Sequence, residues 1–226
     1  MTNRILTAIA CIAMILLTIT VSISLPIYFR PFYYWQIEDL DLPTVTGYDK
    51  ATIRDAYDEV MDYLLLPNRE FGTGVFPHSE EGAAHFADVK GLFNLNLSVM
   101  ICSAATLILL AFLRRKELFR PCRPFGKHHA FTCGVSILLL FGIIGIAAAT
   151  DFSKFFVIFH GIFFPGKENW LFKASEDAII LAMPETFFLR CAALILCSIL
   201  MLSIGMILFG LIHKKKKKNS YEPITN

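Results

Sequence analysis

The sequence predicts an all-α membrane protein, with four transmembrane helices and an extracytoplasmic cap formed by two outer loops. Three observations predict it. Of the 226 residues, 55% are hydrophobic and 21 are phenylalanine, more apolar than soluble domains of this size. Four apolar runs, at 5–25, 93–113, 130–150 and 191–212, each approach the ~20 residues that a bilayer core needs. Basic residues gather in the 114–127 connection and at 214–218, while the stretches 26–92 and 151–190 hold more acidic than basic residues. Under the positive-inside rule the N and C termini are cytoplasmic and the two long loops lie outside. The chain 1–226 reads as a single integral membrane domain. No run carries a charge in its middle, which excludes an intramembrane ion path. The 21 Lys+Arg nearly balance the 19 Asp+Glu, so nothing points to nucleic acid.

The first run is longer than a usual signal core, and its exit through Pro26-Ile27-Tyr28-Phe29-Arg30 has no small-x-small cleavage pattern. It reads as an uncleaved helix. The aromatic cluster that follows, to Trp35, suits an interfacial belt or the wall of an acyl pocket. From there to Thr46 the pattern alternates weakly and predicts extended chain. Between Tyr48 and Leu66, residues Ile53, Tyr57, Val60, Met61 and Leu64 recur at helical spacing, with Asp55, Asp58, Glu59 and Asp62 largely opposite. Asp49 caps this helix and Pro67 stops it. Gly72-Thr73-Gly74 reads as a tight turn.

Ser79, followed by Glu80-Glu81, caps a helix that carries His85, Asp88 and Lys90 and runs on into the second span. Counting back from Leu92 at 1.5 Å per residue places His85 roughly 10 Å outside the hydrocarbon, at the level of lipid esters. Asp151 caps a helix with Phe152, Phe155, Phe156 and Phe159 as an interfacial stripe, His160 at its edge. Phe163-Phe164-Pro165-Gly166 turns the chain, Trp170 follows, and 175–183 predicts a short helix capped by Ser175.

All six cysteines fall in spans, at a span edge or on the cytoplasmic side, so no disulfide staples the outer loops. The candidate chemistry rests on histidine. His85 and His160 come one from each outer loop, each near a membrane boundary. His85 and Asp88, three apart on a helix, share a face, and an imidazole steadied by a carboxylate is a usable base near neutral pH. Lys90 suits either an oxyanion or the headgroups. His78 reads as structural or weakly supportive; His128, His129 and His213 read as solvated. A metal-dependent membrane hydrolase acting on lipid or peptide, its metal held by His78, His85, Asp88 and His160, is an alternative, although the spacing matches no zinc motif. Ser79, Ser153 and Ser175 sit in no nucleophile elbow. A non-enzymatic sensor or assembly protein is the other alternative.

Four spans, the run His85-Phe86-Ala87-Asp88-Val89-Lys90, and Phe159-His160 through Trp170 together resemble the lipoprotein intramolecular transacylase family of bacteria. The resemblance covers essentially the whole chain; the family's pattern often has methionine after the first histidine, where Phe86 stands here. It implies an acyltransferase whose partners are diacylglyceryl-modified lipoproteins and the membrane lipids around them. The sn-2 acyl chain would move to the α-amino group of the N-terminal cysteine, giving a lyso-form lipoprotein, with no cofactor. It implies His85 and His160 as the catalytic pair on the outer face of the cell membrane, with Asp88, Lys90 and Trp170 in support.

Overall fold

The computed structural model describes the backbone of residues 2–219 and the side chains of residues 3–213. Among the described residues the elements are helical: α1 (Thr2–Tyr28), α2 (Pro31–Asp39), α3 (Leu42–Thr46), α4 (Lys50–Leu65), α5 (Glu80–Arg115), α6 (His129–Thr150), α7 (Phe152–Phe163), α8 (Ile179–Ala182) and α9 (Glu185–Asn219), with one 3-10 turn at Pro124–Gly126. Four described helices are long and apolar enough to cross a membrane: Asn3–Tyr28, Glu80–Arg115, His129–Thr150 and Glu185–His213. Each contains one of the four predicted runs. The chain divides into two compact units, Met1–Ile23, Ser98–Ile146 and Ile195–Asn226 in the first, Ser24–Leu97 and Ala147–Leu194 in the second.

The first unit is built from apolar helix segments. Their hydroxyls are satisfied locally, as hydrocarbon requires: Thr18 Oγ1 donates to the Met14 carbonyl at 2.8 Å and buried Ser203 Oγ to the Ile199 carbonyl at 2.7 Å. Two glycines let α6 and α9 approach closely. A Cβ on Gly134 would meet the Ser203 carbonyl oxygen at 2.6 Å, and one on Gly210 would meet Phe131 Cβ at 2.7 Å. The connection after α5 is pinned to α1. The Cys122 N–H donates to Thr7 Oγ1 at 2.9 Å, the Arg120 N–H to Asn3 Oδ1 at 3.2 Å, and Phe119 is buried on Ala10 and Leu110. His128 and His129, expected to be solvated, are half-buried, their rings stacked at 4.2 Å and His128 5.6 Å from the Phe209 ring. Packing against α9 covers apolar ring faces that the sequence leaves without an obvious partner. The side chains of residues 214–218, the expected topology signal, lie outside those described.

The second unit holds the short helices. Asp49 caps α4 as expected, its Oδ1 accepting from the Ala51 and Thr52 N–H groups at 2.9 and 3.0 Å. Ile53, Tyr57, Val60, Met61 and Leu64 are buried. Residues 36–46, expected to be extended, instead lie in α2 and α3, joined by a turn at Leu40–Asp41. Pro31 stands in the first turn of α2, where its missing N–H costs nothing. Tyr33 and Ile37, one turn apart, are both buried. Tyr33 stacks on Tyr57 at 3.7 Å and donates its hydroxyl to the Ala182 carbonyl at 2.8 Å. Burial of that face decides for helix over a weak alternating pattern. Of the aromatic cluster, Phe29 and Trp35 are exposed and fit a belt, whereas Tyr33 belongs to the core.

Arg30 ties the same corner to α4, reaching Asp58 at 3.0 Å and Asp62 at 2.5 Å; Tyr34 donates to Asp58 at 2.7 Å. The helix expected over 175–183 forms only at Ile179–Ala182. The residues before it are tied elsewhere: the Ala178 N–H donates to the Pro77 carbonyl at 3.1 Å, and buried Asp177 accepts from the Ser79 N–H at 2.8 Å and from its hydroxyl. Ser79 Oγ in turn accepts from the Gly82 N–H at 2.9 Å, the expected cap. Asp177 thus adds a carboxylate at the first turn of α5, where its negative charge complements the positive end of the helix dipole. Gly82 is required there, because a Cβ would lie 2.1 Å from Asp177 Oδ1.

Candidate active site

Helix α5 runs 36 residues, about 54 Å, against a hydrocarbon core of about 30 Å. Its first turns, with Glu80, Glu81, His85, Asp88 and Lys90, therefore extend beyond the apolar run that begins near Leu92. His85 sits in this segment and His160 in the last turn of α7. Both belong to the second unit, and both are buried at 6% exposure. Their ring centroids lie 5.8 Å apart, tilted by 32°. The structure brings together the two histidines that the sequence singled out from separate loops.

The rings stand in an aromatic cage. Phe164 and Phe172 present edges to His85 at 4.9 and 5.4 Å. Trp170 stacks on His160 at 4.4 Å and 25°, and Phe156 lies 4.2 Å from the same ring. Phe86 stacks between Phe71 and Phe172, at 5.0 and 5.8 Å, closing the side behind His85. The stripe of phenylalanines on α7 thus turns one member, Phe156, inward onto the site.

The two imidazoles differ. His160 Nδ1 lies 2.7 Å from the Phe156 carbonyl oxygen. A carbonyl only accepts, so Nδ1 carries the hydrogen and Nε2 keeps its lone pair. His85 Nδ1 is buried with no hydrogen-bond partner. Burial pushes His85 down to about 4, helped by nearby His160 and opposed by Asp88. Burial also lowers His160, while its bond to the Phe156 carbonyl pulls the other way. Both rings are neutral near pH 7.

Asp88 shares the helix with His85 but is bonded elsewhere. Its oxygens accept from Lys167 Nζ at 2.6 Å and from Asn169 Nδ2 at 3.3 Å, and Lys167 holds its carboxyl below the usual carboxylate range. Asp88 therefore fixes the loop that brings Trp170 and Phe172 to the histidines. The loop is also braced internally. Gly166 turns at φ +72°, and Trp170 Nε1 donates to the Lys167 carbonyl at 3.1 Å. Lys90 points to α4, its ammonium 4.2 Å from the Tyr63 ring centre and donating to the Leu66 carbonyl at 3.2 Å. His78 meets Thr73 Oγ1 at 2.9 Å and is structural. Ser79 is occupied as a cap, and Ser153 donates to Glu185 at 2.6 Å. Among the described residues no three His, Cys, Asp or Glu side chains converge as metal ligands.

The sequence reading did not single out Lys167, Asn169 or Phe172. A clue to the first two was available: Asp88 carries a charge beside an apolar boundary, and a lysine stands at the turn after Gly166.

The profile of the family described as lipoprotein intramolecular transacylase Lit matches residues 8–188. Among solved structures, the chain is similar to the membrane-integral lipoprotein intramolecular transacylase Lit from Bacillus cereus, solved in meso. The identity is 24% over 96% of this chain and 98% of that one, with a TM-score of 0.85. The same Bacillus cereus protein with an H85R mutation gives 24% identity over 97% and 95% of the two chains and a TM-score of 0.79. With an H85A mutation the values are 23%, 96% and 96%, and 0.78. No curated protein matches the chain.

Proposed function

The chain belongs to the lipoprotein intramolecular transacylase family, and from that premise we propose how its histidine pair carries the reaction. The protein is a multi-pass membrane acyltransferase acting on lipoproteins. It moves the sn-2 acyl chain of the diacylglyceryl group to the α-amino group of the N-terminal cysteine, leaving the lyso form. The site works on the outer face, with both termini cytoplasmic, a reading supported by the basic 114–127 connection.

His160 is the general base. Its Nδ1–H is committed to the Phe156 carbonyl, which supports an unprotonated Nε2 facing substrate. The amine has a reference pKa near 8, so removing its proton as it attacks assists the step. The amine nitrogen bonds to the ester carbonyl carbon, the ester C–O bond breaks, and the proton held on His160 passes to the departing glyceryl oxygen. A ring disfavoured as a cation returns that proton readily. His85, pushed down to about 4, is too weak a base for this role. As a neutral N–H donor it polarises the carbonyl and holds the developing oxyanion.

The ring that closes runs through the amine nitrogen, Cα, Cβ, sulfur, two glyceryl carbons, the ester oxygen and the carbonyl carbon. Rings of that size close poorly unaided, so holding the substrate folded is a large part of catalysis. The cage of Phe156, Phe164, Phe172 and Trp170 supplies apolar walls for that purpose and keeps water from the ester. Asp88 acts by anchoring the Trp170 loop, and Trp170 stabilises the transient imidazolium of His160 through its ring face.

The observation that carries this reading is two buried imidazoles from separate loops, 5.8 Å apart. It is tested in a host that makes diacylated lipoproteins and lacks the activity. The wild-type chain, His85→Ala and His160→Ala are expressed and the lipoprotein N-terminal lipopeptide is read by tandem mass spectrometry. The wild type moves one acyl chain to the amine at unchanged total mass, and neither variant does. A stably inserted variant that still converts the lipopeptide removes its histidine from the mechanism.

A further inference from the structure

The first unit carries a second recess, at the end of the bundle that bears the basic connection. Its polar part, about 350 Å³, is lined by Arg114, Arg120, Arg123, His128 and His129, with Glu117 as its carboxylate. An apolar groove of about 730 Å³ lies between α1 and α5, walled by Ala10, Met14, Leu107, Ile108 and Ala111. Arg114, Phe119, Pro121 and His129 line both, so the two form one continuous surface with a cationic head and an apolar tail.

The charges do not cancel. Glu117 pairs loosely with Arg120 at 3.6 Å, both largely exposed. Arg114 and Arg123 have no carboxylate partner among the described residues. The recess is also held in shape: the bonds from Arg120 and Cys122 backbone to Asn3 and Thr7, and the burial of Phe119, fix its wall against α1. Beside it, Leu118 is 70% exposed, and Phe125, at φ +51°, is 93% exposed between Arg123 and Lys127. Bulky apolar side chains exposed among cations mark a segment that lies in lipid headgroups. A water-facing loop would have no use for them.

We propose that this recess binds an anionic glycerophospholipid, its phosphate between Arg114 and Arg123 and one acyl chain along the α1–α5 groove. Uncompensated guanidinium groups favour phosphate with no cation attached to it, and a zwitterionic headgroup would bring its ammonium among them. The groove commits the ligand to a lipid, because a soluble phosphate uses only the polar part.

The test uses the full chain in mixed micelles with phosphatidylglycerol or phosphatidylcholine of matched acyl chains, and retained lipid is measured by native mass spectrometry. Phosphatidylglycerol is retained in preference. The double variant Arg114→Gln/Arg123→Gln lowers that retention about thirtyfold, from two phosphate-facing charges, and leaves phosphatidylcholine unchanged. Ala111→Trp, a substitution at an exposed wall of the groove, lowers retention of phosphatidylglycerol with the arginines intact. Equal retention of the two lipids overturns the proposal, as does phosphatidylglycerol retention that survives either change. Displacement of the lipid by sn-glycerol 3-phosphate at matched concentration overturns it in favour of a phosphate site. Lipoprotein conversion by each variant, which needs the histidine pair, reports that the chain has folded.

Discussion

Histidine rings cluster twice in this protein, and the two clusters stand in different surroundings. In the second unit His85 and His160 lie 5.8 Å apart; in the first, His128 stacks on His129 at 4.2 Å and lies 5.6 Å from His213. Proximity does not separate them. The surroundings do. His85 and His160 are caged by aromatic rings, with the nearby Lys167 occupied by Asp88 and one tautomer fixed by a backbone carbonyl. His128 stands with Arg114 and Arg123 in its surroundings, and burial first, then the neighbouring His213 ring and those cations, lower it below the ordinary histidine value. A neutral imidazole with a free lone pair in a water-poor cage can move protons, whereas imidazoles set among arginines line a site for an anion.

The strongest break of this contrast replaces rings by an amide, which keeps an N–H and removes the base. His160→Gln lowers kcat by about a thousandfold, while His85→Gln, still able to donate to the carbonyl oxygen, costs about tenfold. His128→Gln and His129→Gln stay within about twofold. Rates are read on a synthetic diacylglyceryl lipopeptide in micelles. A larger loss at His85 than at His160 reverses the two assigned roles.

A smaller effect follows from the Asp88 anchor. Asp88→Asn and Lys167→Met each slow conversion by about threefold, because the pair is partly exposed and such pairs contribute little. The double variant is no slower than either single one, since each removes the same tie. Additive losses would instead assign Asp88 a direct action on His85.

The smallest expected signal is in pH. His85 titrates near 4 when folded against about 6.5 for a free imidazole. Between those values the unfolded chain binds more protons, so stability falls as pH drops through that window and is fully present above it. Thermal unfolding of His85→Leu loses less between pH 7 and pH 5 than the wild type does. Nitrogen-15 spectra of labelled histidine show His85 uncharged at pH 5.5; a protonated ring there removes the basis for its donor role.

Much of the architecture was legible because it follows from local chemistry. The spans are runs of apolar residues, α4 is an amphipathic period with Asp49 and Pro67 as punctuation, and Ser79 and Asp151 announce the helices that carry His85 and His160. Local pattern failed at 36–46, because α2 is held in place by Tyr33, whose partners Tyr57 and Ala182 lie far along the chain. It failed at Ser175 because Asp177 and Ala178 are held by Ser79 and Pro77. The expectation that Asp88 touches His85 rested on helical spacing alone. Spacing permits that contact, but Lys167 offers a full charge at hydrogen-bond distance and takes both the carboxylate and the loop.

The sequence by itself determined the four spans, the helix that carries His85 beyond its apolar run, and the choice of His85 and His160 as candidate rings, since each depends on composition and short-range periodicity. Tertiary structure alone decided that the rings meet, that Phe156 fixes the tautomer of His160, and that Trp170 covers it. Those contacts join α5, α7 and the 164–173 loop, and they form only when burial of aromatic surface outweighs the cost of ordering that loop.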